Sequence, residues 1–114
     1  MDIQIISKPI PMSELADMAS REFFDMVKAV VDVDRGVMAI GGELQSDEEM
    51  RLLDTGSEQR NLWGINLYPG RAEDEFIEFD SMINLRPSHG NRSRGVDDPA
   101  VREKVTDVVR RLVR

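Results

Sequence analysis

The chain contains no cysteine. Disulfides, thiolate nucleophiles and cysteine-ligated zinc are thereby excluded, and cysteine usage leaves the redox compartment open. Histidine occurs once, as His89, so one chain cannot build a multi-histidine metal centre. No apolar run approaches the roughly 18 residues that a membrane span needs. The first nine residues, Met1 to Pro9, show neither the basic region nor the apolar stretch of a signal peptide. A cytoplasmic protein with no membrane association is the expectation. No Ser-His-Asp order, nucleotide-binding fingerprint, zinc spacing or nucleic-acid motif occurs, and no cofactor or metal is expected.

What is present fits an ordinary globular chain. Hydrophobic residues make up 40% and charged residues 32% of the 114 positions, which argues against wholesale disorder. A chain of this length buries roughly two-thirds of its unfolded surface, enough for one modest core. Residues 1–114 are read as a single domain. The net charge of −7 disfavours nucleic acid and anionic membranes. One stretch runs against it. Segment 86–96 holds Arg86, Arg92 and Arg94 and no acidic residue, leaving 12 basic against 22 acidic residues elsewhere.

Hydrophobic periodicity predicts the elements. Ile3 to Ile6 reads as a short strand limited by Pro9 and Pro11. Ser13 is a helix N-cap candidate, with Leu15, Met18, Ala19 and Phe23 as the inward stripe of a helix over 13–22. Val27, Ala29, Val31 and Val33 share one strand face, with Lys28 and Asp32 on the other. Asp34-Arg35-Gly36 then predicts a hairpin to Val37–Ile40, with the glycine left-handed. Ser46-Asp47-Glu48-Glu49 reads as a capping box opening a helix, with Met50 and Leu53 inward and Gly56 as its stop. Trp63, Ile65 and Leu67 alternate along a further strand. A long strand from Phe76 to Arg86 would place Ile77, Phe79, Ile83 and Leu85 in the core and pair as a second hairpin. Asp97 or Asp98 caps a last helix beginning at Pro99, with Val101, Val105, Val108 and Leu112 as its stripe. The class is α+β: a mainly antiparallel sheet built from two hairpins, with about three helices packed on it.

The runs Met26-Val27-Lys28-Ala29-Val30-Val31-Asp32, Gly41-Gly42-Glu43-Leu44, Leu62-Trp63-Gly64-Ile65-Asn66-Leu67-Tyr68-Pro69, Asn84-Leu85-Arg86-Pro87 and Gly90-Asn91-Arg92-Ser93-Arg94-Gly95 resemble those of a small prokaryotic family of uncharacterised function. The resemblance covers nearly the whole chain and implies one compact domain, with no activity to carry over. The family pattern has a histidine where this chain has Gln45, which weakens a catalytic or metal role at that position.

Two places could carry function. In the loop after the Phe76 strand, Arg86, His89, Asn91, Arg92 and Arg94 form a candidate anion site. Arginine's planar fork suits carboxylate and phosphate, and the loop feeds the N-terminus of the last helix. The plainer reading pairs these arginines with the chain's own carboxylates, and Asp97 and Asp98 would compete with a bound anion. On the strand itself, Glu78 and Asp80 lie on one face with their backbones ~7 Å apart, a spacing suited to acid–base work. Lys28, Asp32, Asn66 and Tyr68 could join them if the strands are neighbours; the plainer reading is a solvated sheet face. His89 could act as a base or sense pH, although a lone loop histidine is more often simple surface. Gly41-Gly42-Glu43 lacks the lysine and spacing of a phosphate loop and reads as a strand-end turn.

Two functional expectations follow. The first is a non-enzymatic binding module presenting the arginine loop to an anionic small molecule or an acidic protein segment. The second is a small hydrolase or phosphoryl-transfer enzyme, with the arginines holding an anionic substrate and Glu78, Asp80 or His89 moving protons. Three arginines are too small a footprint for nucleic acid. An edge strand of so small a sheet could also pair two copies into a homodimer.

Overall fold

The computed structural model describes residues 2–22 and 24–114. In chain order these form β1 (Gln4–Ile6), α1 (Met12–Ser20), β2 (Val27–Asp32), β3 (Val37–Ile40), α2 (Gln45–Asp54), β4 (Leu62–Leu67), β5 (Ile77–Glu78) and α3 (Pro99–Leu112). The sheet order is β1-β3-β2-β4-β5, and every ladder in it is antiparallel. The expected α+β class and the three helices are present. No helix among the described residues is long and apolar enough to cross a membrane.

β2 lies at the centre of the sheet, with Val27, Ala29 and Val31 buried on one face and Val30 on the other, so both faces need cover. Val27, Ala29 and Val31 join Met38, Ile40, Ile65 and Leu67 beneath α1 and α3, which contribute Leu15, Ala19, Val105, Val108, Val109 and Leu112. On the opposite face Val30, Ala39 and Leu62 pack against Leu52 of α2. Each fully buried Leu, Val or Ile contributes roughly 1.5–3 kcal/mol of transfer free energy. The stripe expected on α3 is there, with Asp98 accepting a capping bond from the Ala100 amide and Pro99 at the first helical position. Phe23, the last member of the stripe expected for α1, lies outside the described residues. α1 starts at Met12 after Pro11 and has no side-chain cap, so Ser13 sits inside the helix.

The β2–β3 hairpin forms, with Gly36 left-handed at φ 69. Its connection spans four residues, 33–36, because Asp32 pairs with Val37. Asp32 is wholly buried there. Its carboxylate accepts bonds from the Asp34 and Arg35 amides, both at 2.9 Å, and from the Ser57 hydroxyl at 2.6 Å. These bonds replace the hydration that a buried carboxylate loses.

Three expectations are corrected. α2 begins two residues earlier than the capping box requires; Leu44 is its N-cap and no side-chain cap forms. The inward residues of α2 are accordingly Gln45, Glu48 and Leu52, whereas Met50 and Leu53 are 63% and 38% exposed. The long strand from Phe76 stops after Glu78. Beyond it the chain turns at Ser81, whose hydroxyl accepts from the Ile83 amide, and makes single 3-10 turns at Met82–Asn84 and Pro87–His89. Ile77 and Phe79 therefore pack with the α1/α3 core, Ile83 with the α2 core, and Leu85 stays 38% exposed.

The turn is possible because position 64 is glycine. A Cβ there would lie 2.5 Å from both Cβ and Oγ of Ser81. The Gly64 amide donates to Asn84 Oδ1 at 2.8 Å, and Asn84 Nδ2 donates to the Gly64 carbonyl at 3.0 Å. A side-chain amide thus pairs with β4 where β5 has run out. Asn84→Ala should lower stability by about 3 kcal/mol in urea denaturation, since it strands both buried Gly64 groups. Gly64→Ala should cost a comparable amount through its clash with Ser81.

Candidate functional site

One row of polar side chains crosses the α2 face of the sheet. The register sets Lys28 opposite Asn66 and Asn66 opposite Glu78, so three strands each contribute one residue. Asn66, only 6% exposed, donates through Nδ2 to Glu78 Oε1 at 2.8 Å. The Tyr68 hydroxyl donates to the same oxygen at 3.2 Å. Gln45 reaches down from the first turn of α2, its Nε2 donating to the Ile65 carbonyl at 2.9 Å and to Asn66 Oδ1 at 3.1 Å. Arg94 closes the row, with Nε 2.7 Å from Asp80 Oδ1.

The structure therefore brings Glu78, Asp80 and Arg94 together, and adds Lys28, Asn66 and Tyr68 as the strand order allows. Asp32 is not among them, being committed to the hairpin turn. The plainer expectation of a solvated face does not hold at Asn66, because α2 covers it. Burial, and then the Glu78 carboxylate, push the Tyr68 hydroxyl above its usual pKa, so it remains a donor at neutral pH. The Arg94–Asp80 pair is about half exposed on both sides, so its contribution to stability is under ~1 kcal/mol and its value is positional.

Beneath this row lies a carboxyl group that periodicity does not reveal. Glu48 is wholly buried. Its Oε2 accepts the Gly42 amide at 3.0 Å, and Oε1 has no hydrogen-bond partner among the described residues. Burial pushes its pKa up to about 9, against the weaker pull of the Gly42 amide and the Lys28 ammonium. At pH 7 it is neutral. A Cβ at Gly42 would come within 2.9 Å of Glu48 Cγ, so the glycine makes room for the side chain.

The arginine loop divides its residues between inside and outside. Arg86 faces inward: its guanidinium donates to the carbonyls of Gln59 and Leu62, both at 2.7 Å, and lies 4.0 Å from the centroid of the Trp63 ring. Asn91 is 4% exposed and acts as the knot of the loop. Its Nδ2 donates to the carbonyls of Asn84 at 2.7 Å and Gly95 at 2.9 Å, and its Oδ1 accepts the Asp97 amide at 2.8 Å. The carboxylate of Asp97 takes the Arg92 amide and the Ser93 hydroxyl. Those two bonds, the hydroxyl first, hold its pKa below the usual range. The loop thus forms an anion cradle and fills it with its own carboxylate. The side chains of Arg92 and His89 are exposed and have no partner among the described residues. Arg102, unremarked in the sequence, lies in the first turns of α3, its guanidinium 4.2 Å from the centroid of the Phe79 ring. Arg94 and Arg102 are thereby anchored on consecutive residues, 80 and 79.

Among the described residues no group of three or more histidines, aspartates or glutamates could hold a metal ion. Fold and site together define a small α+β domain with a hydrogen-bonded polar row on one sheet face and a knotted basic loop beside it. Residues 4–112 match the model of the family described as "Protein of unknown function (DUF5674)", and the chain belongs to that family. Comparison with curated proteins and with solved structures gives no match.

Glu48 makes stability depend on pH. Its folded pKa is raised from 4.5 to about 9, so the folded state holds a proton that the unfolded chain releases between those values. The stability it contributes is full below pH 4.5 and is lost as pH rises to about 9. Glu48→Gln keeps an acceptor for the Gly42 amide and removes the titration. It should flatten the pH dependence of Tm over that window and raise Tm at pH 8 by roughly 4 °C or more, as read by calorimetry.

Proposed function

We propose that the chain is a non-enzymatic binding module of the cytoplasm that presents its arginine loop to an anionic small molecule or an acidic protein segment. The observation that carries this reading is the division of labour in the loop. Asn91 and Asp97 hold the backbone fixed, and Arg92 and His89 project from it unpaired. Arg94, two residues beyond Arg92, is already oriented by Asp80, and Arg102 by the Phe79 ring. A preorganised cationic surface loses little entropy on binding, which favours recognition of carboxylate or phosphate groups. Because Asp97 occupies the loop amides, the contacts fall to the guanidinium groups rather than to the backbone. This favours an extended acidic segment over a single buried phosphate. Pairing of two copies is compatible with the reading and is not required by it.

A second reading, hydrolysis or phosphoryl transfer on an anionic substrate, draws on the contact between Arg94 and Asp80. It sets an anion-binding group against a carboxylate, with Glu78 two residues earlier in the chain. It requires that Asp80→Asn abolish turnover of a generic phosphomonoester while leaving the fold intact.

The binding reading is tested by titrating an oligo-glutamate peptide, and separately inorganic phosphate, into isotope-labelled protein. Peptide should shift the amides of Gly90, Arg92 and Gly95 at micromolar to low-millimolar concentration. Arg92→Ala should weaken that binding about tenfold, or 1.4 kcal/mol, and added salt should weaken it further. Unshifted amides at millimolar concentrations of both probes would sink it.

A further inference from the structure

A cleft of about 270 Å³ opens at the end of the sheet where β2 begins and β3 finishes, away from the arginine loop. Its apolar walls are Met18, Phe24 and Met26, and its charged groups are Glu22, Lys28 and Glu43. Its floor is Gly41-Gly42, the pair that reads in the sequence as a mere strand end. Neither position has room for a side chain. A Cβ at Gly41 would meet the Asp2 carbonyl oxygen at 2.6 Å, and one at Gly42 would press on Glu48. Phe24 is 66% exposed and is followed by Asp25 in the left-handed region at φ 53, a conformation that a non-glycine residue adopts at some energetic cost. That turn sets the ring between this cleft and a second hollow lined by Tyr68 and Arg71.

The charges in the cleft are incompletely used. Lys28 Nζ donates to the Glu43 carbonyl at 2.8 Å, leaving two of its three donors. The carboxylates of Glu22 and Glu43 have neither hydrogen bond nor ion pair among the described residues. A simple anion would meet Lys28 and be repelled by two carboxylates. A simple cation would satisfy the carboxylates and be repelled by Lys28. A ligand carrying both charges satisfies all three groups.

We propose that this cleft binds a small zwitterion with an apolar side group, in chemical terms a free α-amino acid. Its ammonium lies with Glu22 and Glu43 near the face of Phe24, its carboxylate on Lys28, and its side group against Met18 and Met26. Aromatic faces attract ammonium groups, and methionine walls adapt to apolar side groups of varied shape. A cleft of this volume lies just below the usual range of ligand pockets, about 300–1,000 Å³, which suits a ligand of amino-acid size. The site shares no residue with the arginine loop, so either can fail without the other.

The test is calorimetric and NMR titration of the whole chain with L-leucine and L-methionine, set beside N-acetyl-L-leucine and isoamylamine. The free amino acids should bind with a submillimolar to low-millimolar Kd and shift the amides of Met26, Gly41 and Gly42. N-acetylation, which removes the positive charge, and Lys28→Met, which removes the carboxylate's partner, should each weaken leucine binding about tenfold. Isoamylamine should be insensitive to Lys28→Met. Glu22→Gln, on the cleft rim, gives a second variant should Lys28→Met fold poorly, and Arg92→Ala should leave leucine binding unchanged. The proposal is overturned if no apolar amino acid binds at about 10 mM, or if N-acetyl-L-leucine binds as well as leucine.

Discussion

Asn84 carries two hydrogen bonds on which the outer third of the molecule depends. Its side-chain amide has the same donor and acceptor as a peptide group, and it offers both to Gly64. A backbone edge left bare at this point would expose one buried donor and one buried acceptor, each costing on the order of 1–3 kcal/mol. The asparagine removes that cost without continuing the strand. The chain is thereby released from the sheet after two residues of β5 and is free to wind into the loop that holds Asn91. Asn91 then repeats the device, bonding to the Asn84 carbonyl and to the Gly95 carbonyl. Two asparagines in series tether the nineteen residues 79–97, which no regular ladder holds. A larger residue at position 64 would close off this arrangement at its first step.

Charge is organised around the same segment. The chain is acidic overall, yet a local excess of positive charge falls where the backbone leaves the sheet. Part of that charge is spent inward. Arg86 fastens the loop to the Trp63 ring and to two carbonyls, and Arg94 is turned by Asp80. The carboxylate of Asp97 lies among the loop's amides, where a bound anion would otherwise lie. What faces solvent is a small set of guanidinium groups on a fixed frame. Glu48 shows the opposite case: an acid so deeply buried, with the Gly42 amide as its one hydrogen-bond partner among the described residues, that it gives up its charge.

Much of the scaffold was legible from periodicity. The central hairpin, the last helix with its Asp98 cap and Pro99 start, and the antiparallel sheet follow from alternation and spacing alone. The misreadings share one cause. From Phe76 to Leu85 the residues alternate as a strand does, but alternation cannot report that Ser81 and Asn84 satisfy the backbone by other means. In α2 the Ser-Asp-Glu-Glu run has the form of a capping box, yet tertiary contact pulls the helix start back to Gln45 and turns Glu48 inward. A buried glutamate resembles any other glutamate in a sequence. Its one local hint was Gly42, six residues before it, whose missing side chain leaves the space that Glu48 fills. The polar row was half visible: the residues were named, but only the strand order shows that Lys28, Asn66 and Glu78 stand in line, and nothing in the spacing points to Gln45 reaching across from a helix.

The tether of residues 79–97 has a consequence for motion. Regular ladders hold β1 to β4, whereas this segment is fixed mainly by side-chain amides, turn bonds and two stacked guanidinium groups. Its detachment would break no strand pairing among the first four strands, so it forms a cooperative unit that can open below the free energy of global unfolding. The chain's single tryptophan, Trp63 of β4, sits under Arg86 of that segment. The protein therefore carries an intrinsic optical reporter, its indole emission, on whether the segment is docked or released.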